Sequence, residues 1–297
     1  METDIAIKRA VFRDGTEYVF ERWIPRDPRA LLIYIHDIGD HAGRQRSLID
    51  YFSRRGCAIT LYDQRGHGRS GGRSGDVDHF ETWLDDLAEI IGASEACLLP
   101  RTPVYLIGHG VGALMALWYA VERGGVSGVV AASLPLRPLM VLPRWKERVA
   151  EKLAVIAPKR SFASTWLPAR NLPDDRNVLS SMTLRTSREI ARVTALLMPL
   201  GYRLRLPLLL LHGHDDRHAS FQGTRDFFSR LALPGNQLMI YDNRGHDLFS
   251  EGDITPVLSD MEQWLELCLR DRSTRPSVTT SPQESVWQPL SVPLSSL

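Results

Sequence analysis

The sequence predicts an α/β protein in which a mostly parallel sheet lies between two layers of helices. Short, continuously apolar runs have the composition of strands that are covered on both faces. Segments with a 3.6-residue apolar period separate these runs, and an alternating pattern with a tight turn opens the chain. Together these observations predict a doubly wound, three-layer α/β/α sandwich with an eight-stranded sheet and an N-terminal hairpin.

The predicted elements follow one another along the chain. Residues 5–12 and 16–23 alternate around Asp14-Gly15, which is a hairpin signal. Helical stripes begin at Phe80 and Ile254. The apolar runs that predict buried strands are residues 30–35, 57–62, 104–107, 126–132, 206–211 and 237–241.

Composition indicates a globular protein without a strongly charged partner. The 297 residues are 43% hydrophobic and 24% charged, with a net charge of +1, which argues against nucleic acid as a ligand. Cys57, Cys97 and Cys268 are too few and too far apart for a disulfide framework or a metal clip. The opening METDIAIKRA lacks the pattern of a signal peptide, so the sequence predicts a cytoplasmic protein.

One uncharged stretch, residues 104–121, is nearly long enough to span a membrane. It contains three glycines and a histidine, and therefore fits a buried strand, a tight turn and a buried helix better.

Two regions depart from strand–helix alternation. Residues 134–204 form a long insertion, predicted to be a helical cap, within an α/β domain of residues 1–271. From Leu134 to Arg205 there are 14 Lys and Arg against 5 Asp and Glu, so the rest of the chain is net acidic. Residues 272–297 are rich in Ser, Thr and Pro and predict a flexible tail, in which Trp287 could serve as a docking residue.

The segment VYLIGHGVGA, residues 104–113, has the pattern of a nucleophile elbow. A predicted strand leads through closely spaced glycines directly into a predicted helix, as in G-x-S-x-G. The central position of that motif holds the nucleophilic serine, but here it is Gly110. Neither Ser94 nor Cys97 can replace it, because both precede the elbow strand.

Other polar segments follow predicted strands. Asp216 lies just beyond one late strand and His246 beyond the next, with Asp215 as the alternative acid. An acid and then a histidine after the elbow is the order in which α/β enzymes supply a triad. The segments are HDIGDHAGR (36–44), DQRGHGRS (63–70), HGHDD (212–216) and NRGHDL (243–248).

These motifs resemble the monoacylglycerol lipase and lysophospholipase branch of the α/β-hydrolase fold, which is of the serine aminopeptidase S33 type. The resemblance covers residues 5 to about 270 and includes a cap. It implies Asp216 as the acid and His246 as the base. It also implies an oxyanion hole formed by the backbone N–H of Val111 and one near Ile38, with no cofactor or metal.

The sequence departs from this branch at two positions. Asp37 replaces a glycine, which places a carboxylate beside a site that should stabilise an oxyanion. Gly110 has no atom that could attack a carbonyl, which closes the covalent acyl-enzyme route. Loss of a triad nucleophile lowers turnover by about 10⁶.

Three interpretations remain open at this stage. The protein is a ligand-binding or scaffold pseudo-hydrolase, or a non-covalent catalyst that uses His246–Asp216 as a general base. Alternatively, Gly110 is an introduced change in an ordinary serine hydrolase, in which case serine at this position restores esterase activity.

Two rival motifs are weaker. Gly108-x-Gly110-x-x-Ala113 matches a dinucleotide fingerprint, but the next predicted strand ends without the acid that would bind the ribose. His212-x-His214-x-Asp216 could supply metal ligands, but the hydrolase interpretation explains the same residues together with four other segments.

The basic cap favours a lipid-like ligand. Apolar residues 139–142 and Trp145 lie among Arg144, Lys146 and Arg148, a mixture that suits an anionic membrane surface or an acyl ligand carrying a phosphate. The substrate class that we expect is therefore an acyl ester of the monoacylglycerol or lysophospholipid type, bound beneath the cap, with peripheral membrane contact as an open alternative.

Overall fold

A computed structural model of the chain describes residues 4–137, 152–163, 167 and 175–274. An eight-stranded sheet is at its centre, with the strand order β1-β2-β4-β3-β5-β6-β9-β10. The strands are β1 (Asp4–Val11), β2 (Glu17–Ile24), β3 (Leu31–Ile35), β4 (Ala58–Tyr62), β5 (Val104–His109), β6 (Gly128–Ala132), β9 (Leu208–Gly213) and β10 (Gln237–Tyr241).

The sheet is mostly parallel. The first strand pairs antiparallel with β2, and β2 pairs antiparallel with β4. Every other neighbouring pair is parallel. This confirms the predicted hairpin and mostly parallel sheet, and it brings the carboxyl ends of β3, β5, β9 and β10 to one edge of the sheet.

Helices cover both faces of the sheet. Alternate residues of β3 divide between two apolar clusters, with Ile33 in one and Tyr34 in the other, and both side chains are fully buried. Burial on both faces explains why these strands are continuously apolar in sequence.

The helices are α1 (Arg46–Ser53), α2 (Phe80–Glu95), α3 (Val111–Glu122), α4 (Leu184–Leu197), α5 (Phe221–Phe228) and α6 (Thr255–Thr274), with short 3-10 helices at Ala42–Arg44 and Met198–Arg203.

The faces are covered by different helices. Buried residues of α2 and α3 belong to the first apolar cluster, and those of α1 and α6 belong to the second. The prediction of a three-layer sandwich is therefore confirmed. The last strand differs from the expectation, because all five residues of β10 are only partly buried, as befits the edge of a sheet.

The insertion is not entirely helical. It contains a small antiparallel pair, β7 (Ser161–Ala163) and β8 (Ser181–Thr183), before α4. A prediction from periodicity misses such short strands, because three residues are too few to show an alternating pattern.

The last helix extends into the predicted tail. It ends at Thr274, so the first three residues of that tail, 272–274, are helical. The rest of the tail, including Trp287, and the apolar–basic segment at 139–148 lie outside the described residues. Within the described ranges, no helix is both long and apolar enough to cross a bilayer.

Candidate active site

The elbow has the geometry that its glycines predict. Gly110 lies between β5 and α3 with a φ of +55°, a conformation that side chains rarely adopt. Its N–H donates to the carbonyl of Ala132 at 2.9 Å. Gly112 faces the carbonyls of Ile35 and His36 so closely that a Cβ there would overlap backbone atoms. The turn therefore passes directly over the end of β3.

The predicted acid and histidine lie together at the carboxyl ends of β9 and β10. Nδ1 of His246 is 2.8 Å from Oδ2 of Asp216. Oδ1 of Asp216 accepts hydrogen bonds from the N–H groups of His218 and Ala219, at 2.7 and 3.0 Å. Asp215 is exposed and pairs with His214 instead, so the geometry favours Asp216 as the acid.

The side chain of Asp37 is the unexpected feature of this site. Its Oδ1 accepts the N–H of Ile38 at 2.7 Å and the N–H of Val111 at 2.6 Å. Its Oδ2 is 3.0 Å from Nε2 of His246. The two backbone donors are those that the family resemblance implies for an oxyanion hole. The Asp37 carboxylate thus occupies the position predicted for an oxyanion, whereas the sequence predicted this side chain only beside that position.

Gly110 and Asp37 depend on each other sterically. A Cβ added to Gly110 would overlap the carboxylate carbon of Asp37. Serine at position 110 is therefore incompatible with Asp37 as placed. The interpretation of an otherwise ordinary serine hydrolase therefore requires the Asp37 side chain to turn away when serine is present at position 110.

The pKa values at this site follow from the position of His246 between the carboxylates of Asp216 and Asp37. Burial lowers the pKa of His246, but hydrogen bonds to Asp216 and Asp37 outweigh it and raise the pKa to about 10. Burial likewise raises the pKa of both carboxyls, but hydrogen bonds from the partner histidines bring each pKa below its ordinary value. The resting site is therefore a carboxylate–imidazolium–carboxylate array.

A protonated His246 cannot accept a proton from water. Both ring nitrogens face carboxylate oxygens, which accept hydrogen bonds only. This arrangement works against the general-base alternative in the resting protein.

Further residues hold the acid and the histidine. Nε2 of His212 is 3.1 Å from Oδ2 of Asp216, and its Nδ1 accepts from the Thr224 hydroxyl at 2.8 Å. Both ring nitrogens of His212 thus have partners within the protein, so neither is left to coordinate a metal ion. No group of His, Cys, Asp and Glu in the described part of the chain could hold a metal ion.

The backbone of His246 is also anchored. Its carbonyl accepts the Ser133 hydroxyl at 2.6 Å and Nε2–H of His109 at 2.9 Å. Sequence reasoning missed Ser133 and His109 as supporting residues. His109 ends β5 and Ser133 follows β6, so both lie at the same edge of the sheet as the loop of His246, and this placement was a usable signal.

Arg44 joins the loop after β3 to the loop after β10. Its guanidinium is 2.9 Å from Asp40, in the loop of Asp37, and 3.0 Å from Asp247, next to His246. This bridge fixes the distance between the two loops that carry the dyad of Asp37 and His246.

The strand order, the elbow and the acid–histidine pair define an α/β-hydrolase-fold protein. The profile of the serine aminopeptidase S33 family matches residues 26–253, so the chain belongs to this family.

Several relatives of the chain are named as lipases. The chain is 26% identical over 275 residues to monoacylglycerol lipase of Mycolicibacterium smegmatis, and the alignment covers 84% of this chain and 93% of the relative. Human monoglyceride lipase is 27% identical over 267 residues, covering 85% and 88%. The fold matches a soluble variant of Saccharomyces cerevisiae monoglyceride lipase in complex with a substrate analog, with a TM-score of 0.78 at 22% identity, over 89% of this chain and 96% of the other.

Proposed function

We propose that this lipase-like protein binds an acyl ester or a related lipid-like ligand and does not cleave it by the serine route. The observation that carries the proposal is the Asp37 carboxylate, which engages both predicted oxyanion-hole donors through one oxygen atom.

An occupied hole cannot stabilise a tetrahedral intermediate. The two N–H groups already donate to Oδ1 of Asp37, and a second negative oxygen would be repelled by that carboxylate. Removal of a single oxyanion donor from a serine hydrolase costs about 10²–10³ in turnover. Here both donors are engaged and the nucleophile is missing as well.

The ligand class rests on the relatives and on the cap. The named relatives are monoacylglycerol lipases. On the described part of the cap, Leu153, Val155 and Ile156 are exposed, and Val155 and Ile156 retain 67% and 79% of their accessible surface. Exposed Lys152 and Lys159 lie in the same segment. Apolar side chains among cations suit an acyl chain or an anionic lipid surface.

An ester assay on four chains tests the proposal. The proteins are the wild type, Gly110→Ser, Asp37→Gly and the double variant, assayed with p-nitrophenyl esters and a monoacylglycerol. We expect only the double variant to gain activity, by at least about 10²-fold, because it alone has a nucleophile and an open hole. Ordinary esterase activity in the wild type or in Gly110→Ser would refute the proposal.

Ligand and surface binding are tested separately by flotation with vesicles that contain anionic lipid and monoacylglycerol. We expect the wild type to float with these vesicles and a variant with Val155→Ser and Ile156→Ser to float less. Equal recovery of the two proteins would contradict a lipid-contacting cap.

A further inference from the structure

We propose that Asp37 is itself a nucleophile, which opens an epoxide carried on an apolar chain to give a diol. This activity goes beyond the proposed function, because it involves neither a serine nor a carboxylic ester. The observation behind it is that the two oxygens of one carboxylate have different partners. Oδ1 faces two backbone N–H groups, and Oδ2 faces the imidazole of His246.

The surroundings of Oδ1 match the needs of an aspartyl ester. Once Oδ2 is alkylated, Oδ1 becomes the carbonyl oxygen of that ester and keeps its hydrogen bonds from Ile38 and Val111. When water attacks the carboxyl carbon, negative charge develops on Oδ1. The two donors are therefore already directed at the atom that needs them, which is the requirement for an oxyanion hole.

The same geometry excludes a carboxylic ester as the electrophile. Attack on an acyl carbon would generate a second oxyanion on the substrate, and the donors for it are engaged by Oδ1. Attack on a saturated carbon generates no such charge at the carbon centre. The substrate is therefore an alkylating electrophile.

His246 selects an epoxide among alkylating electrophiles. The leaving oxygen of an epoxide must gain a proton, and the Nε2–H of an imidazolium, 3.0 Å from the attacking oxygen, supplies it. A leaving halide needs no such donor. The side chain of His246 keeps 15% of its accessible surface, and that of Asp37 keeps 9%, so the dyad is not sealed.

The proposed steps balance without another reagent. Oδ2 of Asp37 forms a bond to an epoxide carbon as the ring C–O bond breaks, and Nε2 of His246 transfers its proton to the ring oxygen. Water then attacks the carboxyl carbon, and neutral His246 accepts the proton of that water. The ester C–O bond then breaks, and the hydroxyl proton of the tetrahedral intermediate passes to the leaving oxygen, which releases the diol and leaves Asp37 as a carboxylate and His246 as an imidazolium.

The alkylation step prepares His246 for its second role. While Asp37 is charged, it helps to raise the pKa of His246. The ester is neutral, so this attraction disappears and the neutral imidazole becomes easier to form. Asp216 still holds Nδ1 and keeps the ring oriented towards the water.

Isotope labelling tests the proposal in the wild-type protein. Protein in excess over cis-9,10-epoxystearate is incubated in H2¹⁸O for a single turnover. We expect a diol without label and one ¹⁸O in the peptide that contains Asp37, since water attacks the carboxyl carbon. A labelled diol with an unlabelled Asp37 peptide, or no diol above the protein-free rate, would overturn the proposal.

Variants give a second measurement. Wild-type protein quenched within the first turnover should carry an adduct of the mass of the epoxide on the Asp37 peptide. Asp37→Asn and His246→Gln should both form no diol, because the first lacks the nucleophile and the second lacks the proton donor and the base. The matched control is Asp215→Asn, an exposed carboxylate outside the array, which should retain wild-type turnover. Adduct on any other carboxylate, or equal diol formation by Asp37→Asn, would contradict the assignment.

The result is separable from the ester test of the proposed function. The esterase gain in the double variant depends on a serine at position 110 and an empty hole, whereas diol formation depends on Asp37 in the wild type. Either result can fail while the other holds.

Discussion

The side chain of Asp37 and any side chain at position 110 would occupy the same space at the end of β5. The carboxylate of Asp37 fills the space where a side chain at position 110 would begin. It also accepts the N–H groups of Ile38, in the loop after β3, and of Val111, at the start of α3, both of which are buried. With the Asp37 side chain in this position, residue 110 has no room for a Cβ atom.

This exclusion predicts a thermodynamic coupling between the two positions. Gly110→Ala should destabilise the wild type strongly and the Asp37→Gly background less, because the overlap exists only in the former. We expect a coupling free energy of about 1–3 kcal/mol in a double-mutant cycle measured by denaturant unfolding.

Gly124→Ala is the control for backbone strain alone. Gly124 also has a positive φ, of +67°, but a Cβ there meets no atom within 4 Å. Its cost should be the same with or without Asp37. Additive effects at positions 37 and 110 would contradict the steric account.

At the scale of elements, the loops after β3 and β10 must keep a fixed distance for the dyad to form. Arg44 spans them through Asp40 and Asp247, and its side chain is only 17% exposed. The loop after β3 also contacts the cap, since His41 pairs with Asp175 at 2.8 Å and the N–H of Leu179 donates to Gly39.

Arg44→Ala should therefore destabilise the protein by about 2 kcal/mol, because it leaves the mostly buried carboxylate of Asp40 unpaired. Arg46→Ala, at an exposed position two residues away, should cost less than about 0.5 kcal/mol. Unfolding in urea measures both changes. An equal, small effect of the two substitutions would show that the bridge does not fix the loops.

The strands of the sheet were predictable from sequence because a strand that is buried on both faces consists of consecutive apolar residues. The elbow was predictable for a similar reason, since a strand, spaced glycines and an apolar helix are adjacent in the chain. The cap strands β7 and β8 were not, because they are short and pair residues that are at least 18 positions apart.

The direction of the Asp37 side chain could not be predicted from sequence. It depends on the N–H of Val111, 74 positions away, and on His246, 209 positions away. The sequence did identify Asp37 as a departure from the family pattern, but a departure does not reveal a rotamer. The contacts of Arg44, Ser133 and His109 are equally non-local.

At the scale of the whole molecule, the fold buries a cation between two anions at the carboxyl edge of the sheet. Such an array is stable only when every charge keeps its partner, because an unpaired buried charge costs several kcal/mol. The rings of His109 and His218 also face His246, with ring centroids 5.0 and 4.8 Å from that of His246. Burial lowers the pKa of His218, and the nearby charge of His246 lowers it further. A change in the charge of one of these groups therefore changes the pKa values of the others.

An NMR titration of ¹⁵N-labelled histidine tests this array most directly. Because the pKa of His246 is raised above its ordinary 6.5, its charged form should persist through neutral pH and be lost only near pH 10. We expect both ring nitrogens of His246 to carry protons at pH 8 in the wild type, and the titration to move to lower pH in Asp37→Asn, which lacks one anion. A wild-type His246 that titrates near 6.5, or one that Asp37→Asn leaves unchanged, would contradict an imidazolium held between the carboxylates of Asp37 and Asp216.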